Sequence, residues 1–395
     1  GVAAFRAQDL VTARAEIERA ARAWPTQPAY VWGRALIAAR RADTAGLLRS
    51  LDDYARLGLG RDLRADSSIA RYLGLPGFAA VVAAVEANRA PLVHSRVRAS
   101  FPDSTFWPEG MDHDAKSGNF YLASVRHGTI AELTPAGAAR ELWPRHQHGM
   151  GAILGVRVDP QGGVLWATSS GLAQMEGFAP GDSSLAALLR VRLSDGALER
   201  RWELPVVPGG HVLGDLAVGP HGDVFLTDSN EPVLYRLRPG GDSLEPMRNP
   251  LFRSLQGLAP TPDGRALYLA DYSHGLLRVD LASGAVIRVA DLPGSTSLGC
   301  DGIAWDRGAI VAVQNGILPP RIVRFRLDSG GVRIVGVTVL DRNLPLADEP
   351  TIGAVVGDSF VYVANSQWEK YSDHGSRRAG TALSAPVLLA VPLPR

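Results

Sequence analysis

The chain has 395 residues, 41 of them Lys or Arg and 40 Asp or Glu, a balance that supplies no field to hold a nucleic-acid backbone or an anionic membrane surface. Cys300 is the only cysteine, which excludes an intrachain disulfide and a thiolate metal cluster. No apolar run is long enough to span a bilayer. Arg in place of Lys, with abundant Ala, Gly and Pro, points to a GC-rich bacterial genome. The chain starts at Gly1 without an initiator Met or a signal-peptide pattern. The expectation is a trimmed N-terminus, with the compartment left open between cytoplasm and periplasm or secretion.

The first ninety or so residues read as helix. Apolar or small positions recur at helical spacing in Ala13, Ile17 and Ala21, and again in Leu47, Leu51 and Ala55, an offset of 34 residues. That is the tetratricopeptide period, in which a helix pair repeats. Trp24, Pro25 and Pro28 fall where the turn between paired helices belongs. A further helix is expected from Gly77 to Asn88. Such a segment, residues 1–92, offers a surface for a protein partner.

From Ser100 the period changes to two, punctuated by Gly, Pro and Asp. One unit recurs: a short strand, a turn, a β-rich strand, a polar loop, then a hairpin closed by Asp-Gly, Ser-Gly or Pro-Gly. Six copies begin near Glu109, Leu154, Gly214, Gln256, Asp301 and Glu349. Four-stranded units of this length mark a β-propeller, since radial packing buries faces that a lone sheet would expose. The expected architecture is therefore an all-α helical-repeat segment (1–92) followed by an all-β six-bladed β-propeller (93–395). Ring closure uses either the strand-like segment Leu92–Ala99 or an ordinary terminal strand.

Inner strands line a propeller's channel, so the blade-start column Glu109, Leu154, Gly214 or Asp215, Gln256, Asp301 and Glu349 converges on one mouth. Carboxylates crowded on an axis repel unless a cation or proton neutralises them, and hard oxygen donors suit Ca²⁺, Mg²⁺ or Mn²⁺. His127, His146, His148, His211 and His274 all fall in loops of that mouth. A histidine tuned by a partner or metal can act as general base. Polar residues that end the second strands (Ser124, Thr168, Asp228, Asp271, Gln314, Asn365) form another ring, read equally well as turn chemistry. Trp107 and Trp368 are the aromatics placed to line the mouth. No Gly-x-Ser-x-Gly elbow is present, so a serine triad is not expected.

Pro108-Glu109-Gly110, Leu255-Gln256-Gly257 and Cys300-Asp301-Gly302 resemble the metal-ligand motifs of the gluconolactonase/regucalcin family. The resemblance covers residues 100–395. It implies one divalent cation held by Glu109, Gln256 and Asp301, Ca²⁺ first, with Mg²⁺, Mn²⁺ or Zn²⁺ as other candidates. Gln256 stands where that family has Asn. His148-Gly149-Met150 is similar to the segment that carries the catalytic base in paraoxonases, so Asp301 or His148 is the expected proton acceptor. His127, His211, His274, Trp107, Asp215, Asn315 and Glu349 are the expected contacts to substrate. The implied activity is metal-dependent hydrolysis of a lactone or related ester. The alternatives are a non-catalytic binding or sensor protein, for a small molecule or a protein partner, and a small-molecule carrier.

Overall fold

The computed structural model describes residues 2–144, 149–159, 161 and 163–395. Among them, residues 2–89 carry six α-helices: α1 (Val2–Arg6), α2 (Leu10–Ala23), α3 (Pro28–Arg40), α4 (Thr44–Arg56), α5 (Ser67–Ala70) and α6 (Phe78–Arg89). Their ends follow from local chemistry. Asp9 accepts from Thr12 N at 3.0 Å and Asp43 from Gly46 N at 2.8 Å, each satisfying an otherwise orphaned amide of α2 or α4. Pro28 opens α3 at the position where its missing N–H costs nothing. Ala35, Leu47, Leu51, Leu63, Ile69 and Val85 close a small core between α3, α4, α6 and the loop before α6.

The rest is a six-bladed β-propeller of four-stranded sheets. The innermost strands are Pro108–His113, Ala152–Asp159, Leu213–Val218, Leu255–Pro260, Ile303–Asp306 and Gly353–Val356. Second strands such as Ala266–Asp271 and Ala309–Gln314 are buried at every position, because each is covered by a blade on both faces. The ring closes through Arg96–Ser100, which pairs antiparallel with Val387–Pro392 as the outer strand of blade six. Chain segments from both ends of the propeller thus share one sheet, which removes an open seam.

One irregularity positions the site. In blades one to four the ladder between inner and second strands slips at the same place: Pro108/Met111, Ile153/Val156, Leu213/Leu216 and Leu255/Leu258. Each slip is a bulge whose extra residue re-aims the side chains beside it. The residues in the four bulges are Glu109-Gly110, Leu154-Gly155, Gly214-Asp215 and Gln256-Gly257. The bulge glycines let adjacent inner strands touch. A Cβ at Gly110 would stand 2.3 Å from Leu154 O, and one at Gly257 would stand 2.6 Å from Asp301 O.

The helices dock on blades four and five. Val31, Tyr54, Leu57 and Leu59 pack on Ile317 of blade five. Trp24 lies flat against His274 of blade four, ring centroids 6.2 Å apart, with the Arg288 guanidinium on it. Thr26 donates to Asp291 at 2.7 Å, and Arg342 donates to Ala87 O and Ala90 O at 3.0 Å each. Arg321, buried under this interface, donates from Nε to Gln314 at 2.6 Å and reaches the carbonyls of Leu57 and Gly58. Removing the apolar contact at its centre should loosen the cap. Ile317→Ala is expected to cost about 2–3 kcal/mol, read as faster amide exchange in residues 54–59 with blade amides unaffected.

Candidate functional site

Ladder register identifies the blade-start column. Glu109, Leu154, Gly214 and Gln256 are equivalent, each being the first residue of its bulge. In blade five Asp301 donates its N–H to Val313 O and Gly302 O accepts from Val313. In blade six the same two bonds are made by Thr351 and Ile352 with Val363. Thr351, not Glu349, is therefore the blade-six member of the column. Its hydroxyl donates to Glu109 O at 2.7 Å, tying blade six to blade one. Glu349 sits two residues earlier, above the column. Asp215 sits one residue deeper than Gly214.

These acids still meet at the axis. Glu109 senses the charge of Asp301, and both sense Glu349 and Asp215. Burial is the largest influence on each and pushes the carboxyl proton affinity up. For Glu109 repulsion from Asp301 comes next, and its carboxyl ends well above the usual range. Asp301 is pushed up to about 7, by burial and by Asp215 and Glu349, against the hydrogen bond from Asn315. Burial likewise raises Glu349, and raises Asp215 against the opposing pull of Arg157.

Each acid has a defined partner. Trp368 Nε1 donates to Glu109 Oε2 at 2.6 Å. Asn315 Nδ2 donates to Asp301 Oδ2 at 2.7 Å, while its Oδ1 accepts from Tyr272 OH at 2.5 Å. Arg157 Nη2 lies 3.1 Å from Asp215 Oδ2, so Asp215 is neutralised from within the protein. Gln256 turns its Nε2 toward Ser254 Oγ at 3.4 Å, which leaves Oε1 as the donor atom of that side chain.

Aromatic rings wall the Glu109 side. Trp107 stacks on Tyr371 with centroids 4.0 Å apart and meets Trp368 edge-on at 4.9 Å. Trp107 Nε1 is buried without a hydrogen-bond partner among the described residues. Trp107, Glu349 and Gln367 all hold positive φ, at 48°, 62° and 68°. Such strain, of order 1–3 kcal/mol per residue, persists where surroundings impose it and collects at functional sites.

The histidines fare differently. His148, with His146, lies outside the described residues. His211 is buried, with Nδ1 2.5 Å from Asp228 and Nε2 2.9 Å from Pro205 O, so both ring nitrogens are committed. His274 stacks under Trp24 at the helix interface. His127 is fully buried, 3.1 Å from Glu141 and 3.2 Å from Thr105. Asp103, His127 and Glu141 bring their ligand atoms within 4.8 Å of one another, a group off the axis that could hold a metal ion. At the axis no three such groups come within that spacing among the described residues.

Asp228 and Asp271 serve as turn acceptors, Asp228 taking Val212 N at 3.1 Å and Asp271 taking Arg253 N at 2.8 Å and Ser254 N at 3.0 Å. Sequence reasoning missed Arg157 and Tyr272. A charged residue between Val156 and Val158 on an inner strand was the available sign for the first; adjacency to the ring residue Asp271 was the sign for the second.

The axial donors fit a hard divalent cation: buried carboxylates that raise each other's proton affinity, and uncharged oxygens beside them. Among the described residues no helix is long and apolar enough to cross a membrane.

Comparison with known proteins places this arrangement. Calcium-binding regucalcin from Agrobacterium tumefaciens superposes with TM-score 0.51 at 17% identity, covering 76% of this chain and 95% of that one. The PQQ-bound aldose sugar dehydrogenase from Streptomyces coelicolor gives 0.50 at 16%, over 76% and 99%. A gluconolactonase from Xanthomonas campestris gives 0.48 at 17%, over 76% and 89%. At these identities the shared property is the fold, and one fold carries several activities. No curated protein matches the sequence. The profile described as SMP-30/Gluconolactonase/LRE-like region matches residues 107–337, from the strained Trp107 through blade five, and the chain belongs to that family.

Proposed function

We propose that the protein hydrolyses a lactone or related ester, with a divalent cation, Ca²⁺ first, held by Glu109, Gln256 and Asp301. The single observation that carries the reading is the pair Glu109–Asp301, brought from blades one and five into one buried, mutually repelling site. When bound, the cation would polarise the scissile carbonyl and acidify a coordinated water.

The remaining work falls to the chain. Asn315 holds Oδ2 of Asp301, which leaves Oδ1 as the oxygen offered to a cation or water. Tyr272 in turn holds the Asn315 amide so that its nitrogen points at Asp301. Trp368 does the same for Glu109, and the ring of Trp107 excludes water from that side. Asp301 would accept a proton from water as the water oxygen bonds to the carbonyl carbon. The ring C–O bond then breaks, and Asp301 returns the proton to the departing alkoxide.

The test is a lactone panel assayed on chelated protein with Ca²⁺, Mg²⁺, Mn²⁺ or Zn²⁺ restored. Hydrolysis that depends on the metal and falls roughly 10²-fold or more in Asp301→Asn is expected. Binding of the panel without turnover under any metal would leave a binding protein in place of an enzyme.

A further inference from the structure

A cavity of about 1200 Å³ lies between the helices and the propeller mouth. Its walls are mostly apolar, with Ile17, Ala20, Trp32 and Leu36 from α2 and α3, Tyr54 from α4 and Ile317 from blade five, and with Glu16, Arg19 and Arg61 as the charged exceptions. Tyr272 and Asn315 line it as well. These two are the residues whose hydrogen bonds orient Asp301. The cavity therefore adjoins the acidic site through these two shared residues, mostly apolar on the side of the helices and polar on the side of the axis.

The size is informative. Small-ligand pockets commonly span roughly 300–1,000 Å³, and a bare sugar lactone needs less than that and offers no apolar surface for such walls. A molecule that satisfies both sides is amphiphilic, with a compact polar ring at the axis and an alkyl chain under the helices. Burying that chain is favourable for each methylene removed from water.

We infer that the substrate is a lactone or ester bearing a long alkyl or acyl chain, and that the helical cap is its chain-binding subsite, with α2 and α3 setting specificity. This rests on the hydrolytic reading above for its chemistry, and on the cavity alone for its chain.

The experiment measures kcat/KM for γ-lactones carrying no alkyl branch, a butyl branch and an octyl branch. The expected result is a rise of roughly tenfold or more along the series. Ala20→Trp and, separately, Leu36→Trp would fill the cavity from two helices, and each should lower the octyl-to-unsubstituted ratio by roughly tenfold. Equal rates along the series, or a ratio unmoved in both variants with their circular dichroism intact, would overturn the inference. A second arm separates it from the hydrolase reading: equilibrium binding of the octyl lactone to chelated Asp301→Asn, followed by tryptophan fluorescence. Saturable binding that weakens with shorter branches and in Ala20→Trp supports the subsite even if nothing is hydrolysed. Absence of binding in that arm, with no chain-length effect on rate, refutes it.

Discussion

Chelated protein should melt at a higher temperature at pH 5 than at pH 8, and saturating Ca²⁺ should reverse most of that loss at pH 8. Glu109 and Asp301 hold their protons more tightly folded than unfolded. The folded chain therefore binds more protons than the unfolded chain in this range, and stability falls as pH rises. For Asp301 the favourable contribution is complete below the ordinary carboxylate value of 3.8 and is lost as pH climbs through about 7. A cation supplies from outside what the protons supplied. At a concentration one hundred times its dissociation constant it adds about 2.7 kcal/mol, or about 3 °C in Tm for a chain of this size. Asp301→Asn and Glu109→Gln should each melt higher than the parent at pH 8 without metal, and each should lose the response to Ca²⁺. Differential scanning fluorimetry at the two pH values reads every arm. A parent Tm that rises with pH in chelator, or a Ca²⁺ shift that survives both substitutions, would remove the axial site.

Gly110→Ala should be among the most damaging single-methyl changes in the molecule. The added carbon would stand 2.3 Å from Leu154 O and 3.1 Å from Gly155 Cα. Both contacts are backbone of the next inner strand, so no side chain can swing aside. Relief requires blades one and two to part at the axis. Overpacking of this kind costs about 3 kcal/mol, a fall of about 4 °C in Tm. Because Glu109 is the adjacent residue, the same displacement should weaken cation binding at temperatures where the variant is still folded. Gly137→Ala is the control, since nothing lies within 4 Å of its added carbon; its Tm should fall by less, through its positive φ of 85° alone. Equal Tm losses in the two variants would show that the inner strands are not in the close contact described.

Those two outcomes turn on features that differ in how far they could be read from residue order. Six blades were legible because each is a local object, with alternating apolar residues and a Gly-bearing turn repeated at similar spacing, and because turn chemistry acts within a few residues. That Glu109, Gln256 and Asp301 open their blades was legible for the same reason, each lying beside a glycine. Helices α2 and α4 followed from apolar spacing, α6 from the run between Gly77 and Asn88, and the turn before α3 from Trp24, Pro25 and Pro28.

The tertiary structure alone decided the rest. Thr351 displaced Glu349 from the column because strand register is set by hydrogen bonds to a neighbour, and no local pattern states where that ladder begins. His211 and His127, read as mouth residues, became buried members of hydrogen-bonded groups once Asp228 and Glu141 arrived from elsewhere in their blades. Arg157 found Asp215 across 58 positions. The cavity under the helices has no counterpart in either half of the sequence, since it exists only where two separately folded surfaces fail to fill the space between them. Residue order specified which side chains this protein has near its axis; packing at long range specified which of them face each other, and how much room was left for a substrate.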